Sequence, residues 1–377
     1  MSSTGFSPPP YPYERLREVA VLAEAHEGGA VDLSIGTPCD PPPAAVLQAL
    51  AGSNTERSYP PSAGTEPLRE AAVRWMDRRF GVHVSAEHLA AAVGTKELVA
   101  STAHYLRLRD PSRDTVLYPE VAYPTYAMGA TFAGGRALPV PAKADGSMDL
   151  GAIDPADAAR AICLWVNSPA NPTGELDDLA AAAAWGRSSA VPVLSDECYC
   201  EFTWADRPRT ILEHGMQGVL AVHSLSKRSN LAGLRVGFYA GDPDLVAYLR
   251  VVRQHAGMMV PGPAQAAAVA ALDDDAHVEV QRETYLRRLG MVAEGLIAAG
   301  FEVRLPKGSF YLWVVVPPRL EDGWAMAREL AERAGMVVSP GDLYGEAAHG
   351  FIRIAVVQPD ERLELAMGRL AASPRPA

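Results

Sequence analysis

The sequence predicts an α/β protein in which helices cover both faces of a mostly parallel sheet. From about residue 66, helical stretches alternate with short apolar runs, and each run ends in polar or turn residues. Such runs are typical of strands that are buried on both faces of a parallel sheet. Beyond residue 280 a long helical stretch precedes further apolar runs, which indicates a smaller α+β domain.

The predicted large domain contains alternating helices and strands. Residues 66–81 have helical periodicity, and Gly81 is a candidate C-cap for that helix. A strand is predicted at 88–93, and Thr95 opens the helix that follows it. The remaining predicted strands of this domain are 115–120, 161–167, 191–196 and 218–224.

The predicted small domain follows from residue 281. Residues 281–298 are predicted to form a long helix, and GWAMARELAERAG a second helix. The runs FEVRL, FYLWVVV and FIRIAV are predicted strands that alternate with it. A proline-rich N-terminal arm leads into a helix and is expected to pack on this domain. We therefore predict a large domain at 36–280 and a small domain formed by 281–377 together with the arm at 1–35.

Composition argues against several classes of function. The 377-residue chain has a formal net charge of −11, which disfavours nucleic acid or an anionic membrane surface as the main partner. No apolar run reaches the roughly 18 residues of a membrane span, and the first residues do not resemble a signal peptide. The four cysteines form no C-x-x-C pair, and the nine histidines show no metal-ligand spacing. We expect a cytoplasmic protein with reduced thiols and no metal site.

Polar side chains follow four of the predicted strands at the point where each strand ends. Ligands of open α/β sheets bind beyond the carboxyl ends of the strands, so these residues are expected to share one site. Taken singly, each has an ordinary explanation as a helix start, a turn, a cap or a solvated lysine. Their occurrence together indicates a functional site. The residues are Gly94-Thr95-Lys96 at a helix start, Asn171 in an NPTG turn, Asp196, Tyr199, Ser224, Ser226 and Lys227.

This set of residues matches the needs of a pyridinium electron sink. Such a cofactor needs a lysine that forms an imine, a carboxylate that keeps the ring nitrogen protonated, donors to the ring oxygen and an anion site for a phosphate. We expect Lys227 to form the imine and Asp196 to pair with the ring nitrogen. Asn171 and Tyr199 are expected to hydrogen-bond the ring oxygen. The predicted phosphate ligands are Thr95, Lys96, Ser224, Ser226 and Arg235.

Several segments resemble the fold-type I pyridoxal-phosphate aminotransferases of classes I and II. The matching segments occur in the family's order and span most of the chain. The resemblance implies a pyridoxal-phosphate enzyme in which Lys227 carries the cofactor. A short turn after Lys227 would let Arg235 bind the cofactor phosphate. The segments are YPPSAGTEPLREA, GTKEL, YPEVAYPTY, NSPANPTG, SDECY, SLSKRSNLAGLRVG and FIRIAV.

The resemblance also implies roles that residue spacing alone does not give. Tyr123 would stack on the cofactor ring. Tyr59 would reach the phosphate of a neighbouring subunit, which implies a homodimer. Arg353 would bind the substrate α-carboxylate, a bidentate task that suits a guanidinium. Asn171 and the backbone of Gly36 would also contact the substrate.

Within the family, the sequence looks most like the N-succinyldiaminopimelate aminotransferases, through RQHAGMMVPGPAQAA and SLSKRSNLAG. This likeness implies transfer of an amino group from glutamate to N-succinyl-2-amino-6-oxopimelate in lysine biosynthesis. The residue that would hold a distal substrate carboxylate is not evident from the sequence. The sequence pattern around Lys307 does not show whether that residue faces the site. Arg235 is assigned to the cofactor phosphate and is therefore a poor candidate for the distal carboxylate.

Two alternatives use the same fold. A pyridoxal-phosphate enzyme of specialised metabolism that catalyses β- or γ-elimination, replacement or carbon–carbon bond formation would show the same cofactor residues. A regulator with an aminotransferase-like domain would carry an N-terminal DNA-binding winged helix. Only about 35 residues precede the first site segment, too few for such a domain. We therefore favour an aminotransferase that acts on amino-acid and keto-acid substrates.

Overall fold

The computed structural model describes residues 5–374. Its strands, in chain order, are β1 (Val31–Asp32), β2 (Leu89–Ala92), β3 (Thr115–Pro119), β4 (Arg136–Val140), β5 (Ala161–Asn167), β6 (Val193–Asp196), β7 (Val219–Ser224), β8 (Gly237–Gly241), β9 (Tyr311–Val315), β10 (Met336–Val337), β11 (Ser339–Pro340) and β12 (Phe351–Ala355). Its α-helices are α1 (Arg17–Glu24), α2 (Ala44–Ala51), α3 (Glu66–Phe80), α4 (Thr95–Arg109), α5 (Thr125–Phe132), α6 (Pro155–Arg160), α7 (Leu179–Ser189), α8 (Leu225–Arg228), α9 (Pro243–His255), α10 (Gly262–Asp273), α11 (Ala276–Ala298), α12 (Gly323–Ala334) and α13 (Asp360–Ala372).

A seven-stranded sheet with the order β2-β8-β7-β6-β5-β3-β4 forms the centre of the larger unit. β8 runs antiparallel to β7 and β2, and the other neighbouring strands are parallel. Successive β5 residues pack on opposite faces: Leu164 joins a core with α3, α7 and α10, whereas Trp165 joins a core with α4, α5 and α9. The predicted α/β fold with a mostly parallel sheet is therefore confirmed.

The parallel pairing brings the carboxyl ends of β5, β6 and β7 side by side. Asn167 at the end of β5 is in register with Asp196 at the end of β6. Asp196 is in turn opposite Val222, two residues before β7 ends at Ser224. One edge of the sheet therefore receives the polar residues that follow three neighbouring strands, as expected for a ligand site in such a sheet.

A smaller antiparallel sheet, β11-β12-β9, forms the second unit. It packs with α11, α12 and α13 in an apolar core that includes Leu16 and Val19 from the N-terminal segment. β1 pairs with β10, which joins the same segment to this unit again. The predicted boundary at residue 280 falls inside α11, because that helix begins at Ala276 rather than at 281. The division into two domains otherwise stays a prediction.

One predicted strand is wrong. Residues 301–305 (FEVRL) form no strand, although their apolar residues alternate with polar ones. Phe301 is buried in the smaller core while Leu305 is exposed, and no described strand pairs with this segment. The alternation therefore reflects an irregular segment in which Phe301 is buried and Val303 packs against the same core.

Within residues 5–374, no helix is both long and apolar enough to cross a membrane. In the same part of the chain, no group of three His, Cys, Asp or Glu side chains is arranged to hold a metal ion. The four cysteines are free thiols.

Candidate active site

A cavity of about 430 Å³ lies at the carboxyl ends of the central strands. Twelve of the thirteen residues that were predicted for the site line it, and Tyr59 does not. The twelve come from both structural units, so the cavity lies between them. They are Gly36, Thr95, Lys96, Tyr123, Asn171, Asp196, Tyr199, Ser224, Ser226, Lys227, Arg235 and Arg353.

Lys227 is held by a single helical turn that follows β7. Ser224 caps this turn, because its side-chain oxygen accepts a hydrogen bond from the Ser226 amide at 3.1 Å. The Lys227 ammonium projects into the cavity and donates to the Gly36 carbonyl. Burial, with the charges of Arg353 and Arg235, lowers the pKa of Lys227 to about 8, against a smaller opposing effect of Cys198. An amine with this pKa is partly neutral near pH 7 and can act as a nucleophile or a base.

Asp196 ends β6 as a buried carboxyl group with two donors. The Tyr126 hydroxyl donates to Oδ2 at 2.8 Å, and the Cys198 amide donates to Oδ1 at 3.2 Å. Burial raises the pKa of Asp196, while these hydrogen bonds oppose the shift. A cation close to the carboxylate would lower its pKa. Asp196 is therefore suited to pair with a protonated ring nitrogen.

Two asparagines fix the loop that follows β5. The Asn167 side chain donates to the Asp196 carbonyl at 2.8 Å and accepts from the Asn171 amide at 2.7 Å. Asn171 in turn accepts from Arg353 through its side-chain oxygen, at 2.7 Å. Tyr199 pairs through its hydroxyl with the hydroxyl of Tyr311 at 2.9 Å. Hydroxyl and amide groups are thus fixed beside Asp196 and Lys227.

The start of α4 lines the cavity and is the candidate phosphate site. No side chain caps this 15-residue helix, so its first amides stay available to a ligand. Gly94 precedes it at φ +72°, and a Cβ atom there would overlap with the Arg235 guanidinium. Thr95 contributes its hydroxyl, which lies 3.3 Å from the Cys198 sulfur. This part of the cavity is lined by the N-terminus of α4, the Arg235 guanidinium, Ser224 and Ser226. The absence of a Cβ atom at Gly94 leaves room for the guanidinium.

The side chain of Lys96 contacts Tyr11 of the N-terminal segment. Its ammonium donates to the Tyr11 hydroxyl at 2.9 Å and lies 4.5 Å from the centre of the Tyr11 ring. The Lys96 amide lies in the first turn of α4, which has no side-chain cap, and the predicted contact of Lys96 with the phosphate stays a prediction.

Arg353 is a fully buried cation on β12, with 1% of its surface exposed. It donates to Asn171 and to the Ser34 carbonyl, and it lies over the ring of Tyr311 at 4.2 Å. No described carboxylate forms an ion pair with it, and its Nε has no hydrogen-bond partner in the described part of the chain. A buried guanidinium without a counter-ion is suited to bind a carboxylate ligand.

The two aromatic residues that the family resemblance suggested differ in position. Tyr123 lines the cavity and contacts Tyr126 edge to face at 6.2 Å between ring centres. Tyr59 is 96% exposed and lies outside the cavity. Its predicted contact with a neighbouring subunit stays a prediction.

Sequence reasoning missed four tyrosines of the cavity. Tyr126 belongs to the same family-like segment, YPEVAYPTY, as Tyr123, so the resemblance could have pointed to it. Tyr311 lies in the predicted strand FYLWVVV, but alternation did not show which of its side chains face the site. Tyr11 and Tyr13 belong to the N-terminal arm, whose pattern carries no functional signal. All four line the cavity.

The residues present fit pyridoxal 5′-phosphate. Lys227 can attach the aldehyde, and Asp196 can hold the protonated ring nitrogen. The candidate phosphate site at Gly94 and Arg235 has the donors and the positive charge that a phosphate needs. These groups lie in one cavity at the sheet edge where such a ligand is expected.

Comparison with known proteins identifies the family. The family described as "Aminotransferase class I and II" matches residues 29–370. The chain is 42% identical over 370 residues to the 4-dedimethylamino-4-oxo-anhydrotetracycline transaminase OxyQ of Streptomyces rimosus, covering 96% of this chain and 99% of OxyQ. It is 33% identical to LL-diaminopimelate aminotransferase of Gloeobacter violaceus, covering 97% of this chain and 96% of that protein.

A solved structure gives the same result. The probable N-succinyldiaminopimelate aminotransferase of Thermus thermophilus superposes with a TM-score of 0.85 at 32% identity, covering 95% of this chain and 99% of that one. The family match, the fold and the relatives agree with the residues in the cavity. The chain belongs to the class I and II aminotransferases, which are enzymes that depend on pyridoxal phosphate.

Proposed function

We propose that this aminotransferase takes its amino group from glutamate and passes it to a keto acid that carries a second anionic group. Four cations line the cavity without an ionic partner among the described residues, and two of them, Lys227 and Arg235, are assigned to the cofactor. The observation that carries the proposal is the remaining pair. Arg353 and Lys96 both line the cavity, and no described carboxylate pairs with either. Glutamate and 2-oxoglutarate each carry two carboxylates.

The α-carboxylate is assigned to Arg353 and the distal carboxylate to Lys96. Arg353 lies at the buried end of the cavity beside Asn171. Lys96 is exposed and bonded only to tyrosines, so an anion can replace or join those contacts. Lys307 is a poor alternative because it pairs with Glu175 at 2.6 Å and does not line the cavity.

The chain's own residues support proton transfer at the α-carbon. When bound, pyridoxal phosphate accepts the electron pair that is left when the α-proton departs. Lys227, whose ammonium projects into the cavity and whose pKa is about 8, is the proposed carrier of the proton. Asp196 would hold the ring nitrogen protonated, and Tyr199 with Asn171 would fix the ring oxygen. Arg353 would hold the α-carbon in reach of Lys227 through the carboxylate.

We propose N-succinyl-2-amino-6-oxopimelate as the acceptor. It carries a carboxylate at each end, which suits a cavity in which Arg353 and Lys96 are cations that the cofactor does not use. The Thermus thermophilus structure is named as a probable N-succinyldiaminopimelate aminotransferase, and the Gloeobacter violaceus relative as an LL-diaminopimelate aminotransferase. Both names support an acceptor of the diaminopimelate type.

A second candidate acceptor is a ketone on a fused-ring scaffold, as in the compound for which OxyQ is named. The residues that line the cavity include Tyr11 and Tyr13, whose aromatic rings offer flat surfaces, and the apolar Ile35. Aromatic faces of this kind can stack on a planar polycyclic acceptor, which is the observation that favours this second candidate. The donor half of the reaction would be unchanged.

The donor assignment is tested with the purified holoenzyme and glutamate alone. We expect one equivalent of 2-oxoglutarate per active site, with loss of the lysine-bound cofactor absorbance. Addition of 2-oxoglutarate should restore that absorbance. If glutamate leaves the absorbance unchanged and no 2-oxoglutarate forms, glutamate is not the donor. Candidate acceptors are then compared by their ability to regenerate the lysine-bound form.

The role of Lys96 is tested by Lys96→Gln. We expect kcat/KM for glutamate to fall by roughly tenfold or more, because a charge-assisted contact is lost. The value for norvaline, which lacks the distal carboxylate, should change much less. Lys143→Gln, at an exposed lysine outside the cavity, is the matched control. Equal losses for glutamate and norvaline would contradict a distal-carboxylate role.

A further inference from the structure

The N-terminal arm, defined here as residues 5–16, crosses the mouth of the cavity. The Phe6 ring contacts Phe132 of α5 edge to face, with 6.5 Å between ring centres. Tyr11 accepts the hydrogen bond from Lys96 at the start of α4. The arm is therefore anchored on the larger unit, although its last residues enter the core of the smaller unit.

Tyr13 is the arm residue that lies closest to Arg353. It lines the cavity, and its hydroxyl accepts a long hydrogen bond from Arg353 Nη2 at 3.4 Å. The same hydroxyl is 3.1 Å from that of Tyr344, a buried residue outside the cavity lining. The guanidinium lies 4.9 Å from the centre of the Tyr344 ring. Tyr13 thus stands between a buried hydroxyl and the edge of the guanidinium that faces the cavity.

The contacts of Arg353 leave a place for one more donor beside a bound carboxylate. Its nitrogens meet only neutral oxygens, those of Asn171, Ser34 and Tyr13, so its charge is not balanced within the described residues. A carboxylate at Nη2 would lie next to the Tyr13 oxygen. A carboxylate oxygen accepts more than one hydrogen bond, and a hydroxyl can donate while it accepts.

We propose that Tyr13 is a substrate-binding residue whose hydroxyl donates to the α-carboxylate alongside Arg353, and that Tyr344 positions it. In this arrangement the Tyr344 hydroxyl donates to the Tyr13 oxygen, which frees the Tyr13 proton for the carboxylate. Burial raises the pKa of Tyr344 well above its usual range, so its hydroxyl keeps the proton that it donates. The N-terminal arm is thereby part of the substrate site.

The proposal rests on the assignment of the α-carboxylate to Arg353. It differs from that assignment because it concerns a donor from another segment of the chain. A hydrogen bond to a charged group lost on substitution corresponds to roughly a tenfold change in affinity. A contact made equally to bound substrate and transition state changes KM and leaves kcat nearly unchanged.

The test measures the dissociation constant of glutarate, which has both carboxylates of glutamate and no amino group, by titration of the holoenzyme's cofactor absorbance. Tyr13→Phe, which keeps the ring, should raise this constant about tenfold and raise KM for glutamate with kcat within about twofold. Tyr344→Phe should raise it by a smaller factor, about threefold. Tyr248→Phe removes a remote hydroxyl that donates to the Tyr105 carbonyl, and it should leave the constant unchanged.

Arg353→Gln separates this inference from the proposed function. If Arg353→Gln weakens glutarate binding and Tyr13→Phe does not, the role of Tyr13 is refuted, while the assignment of the carboxylate to Arg353 is supported. If Arg353→Gln leaves glutarate binding unchanged, the carboxylate assignment itself fails. Thermal unfolding of each variant shows whether it folds. If Tyr13→Phe does not fold, an unchanged glutarate constant in Tyr344→Phe still refutes the hydroxyl pair.

Discussion

Replacing Asp196 by asparagine should slow α-proton removal by about 10²-fold while the cofactor remains bound. The carboxylate would lose its charge-assisted bond to the protonated ring nitrogen, which contributes roughly 1.5–3 kcal/mol. The new amide would also face two donors, the Tyr126 hydroxyl and the Cys198 amide, and can accept through only one oxygen. A total near 3 kcal/mol corresponds to about a hundredfold in rate, at 1.36 kcal/mol for each factor of ten.

The assay is a single turnover of Asp196→Asn holoenzyme with glutamate, followed by rapid mixing at the cofactor absorbance. Asp110→Asn is the matched control, because Asp110 is an exposed carboxylate bonded to Ser112 and lies outside the cavity. The control should react at the wild-type rate. A rate for Asp196→Asn within a few-fold of wild type would show that this carboxylate is a structural cap and does not tune the cofactor.

Three further predictions follow from the geometry of the cavity. Cofactor-free enzyme should attach pyridoxal phosphate through Lys227 at a rate that rises with pH, with the midpoint of the rise near pH 8, because only the neutral amine reacts. A midpoint near the ordinary lysine pKa of about 10.4 would contradict the lowered pKa. Gly94→Ala should weaken cofactor binding by at least about tenfold in an equilibrium titration, because the added Cβ displaces Arg235, whereas Gly257→Ala, with the same φ of +72° and open space around it, should not. Tyr59→Phe should weaken cofactor binding in a dimer and not in an isolated subunit, as measured across a dilution series. Equal cofactor affinity of the variant and the wild type at every dilution would refute the predicted contact between subunits.

The residues that sequence reasoning located best are those whose position follows from local rules. Lys227 and Asp196 come directly after short buried strands, and parallel pairing brings the ends of such strands together. The strand β5 was predicted with the bounds that the structure shows. A short strand end leaves little freedom in where the next side chain lies, so the pattern was sufficient.

Side-chain direction and tertiary packing were beyond the sequence pattern. Lys96 was predicted to bind the phosphate, and its sequence pattern did not show that its ammonium contacts Tyr11. Tyr13 enters the site because the arm packs across the cavity, a contact with a partner 340 residues away along the chain. The FEVRL alternation predicted a strand that needs a pairing partner, and none of the described strands provides one. These outcomes depend on which surfaces meet, which periodicity does not encode.

The most direct test of the account is the identity of the residue that carries the cofactor. The holoenzyme would be reduced with borohydride and digested, and the peptide that bears the pyridoxyl group would be sequenced. The account predicts a single label on Lys227, in the peptide that follows β7. A label on Lys96, Lys143 or Lys307 would contradict it. Among these lysines and Lys227, only Lys227 follows β7 and donates to the Gly36 carbonyl in the cavity that Asp196 also lines.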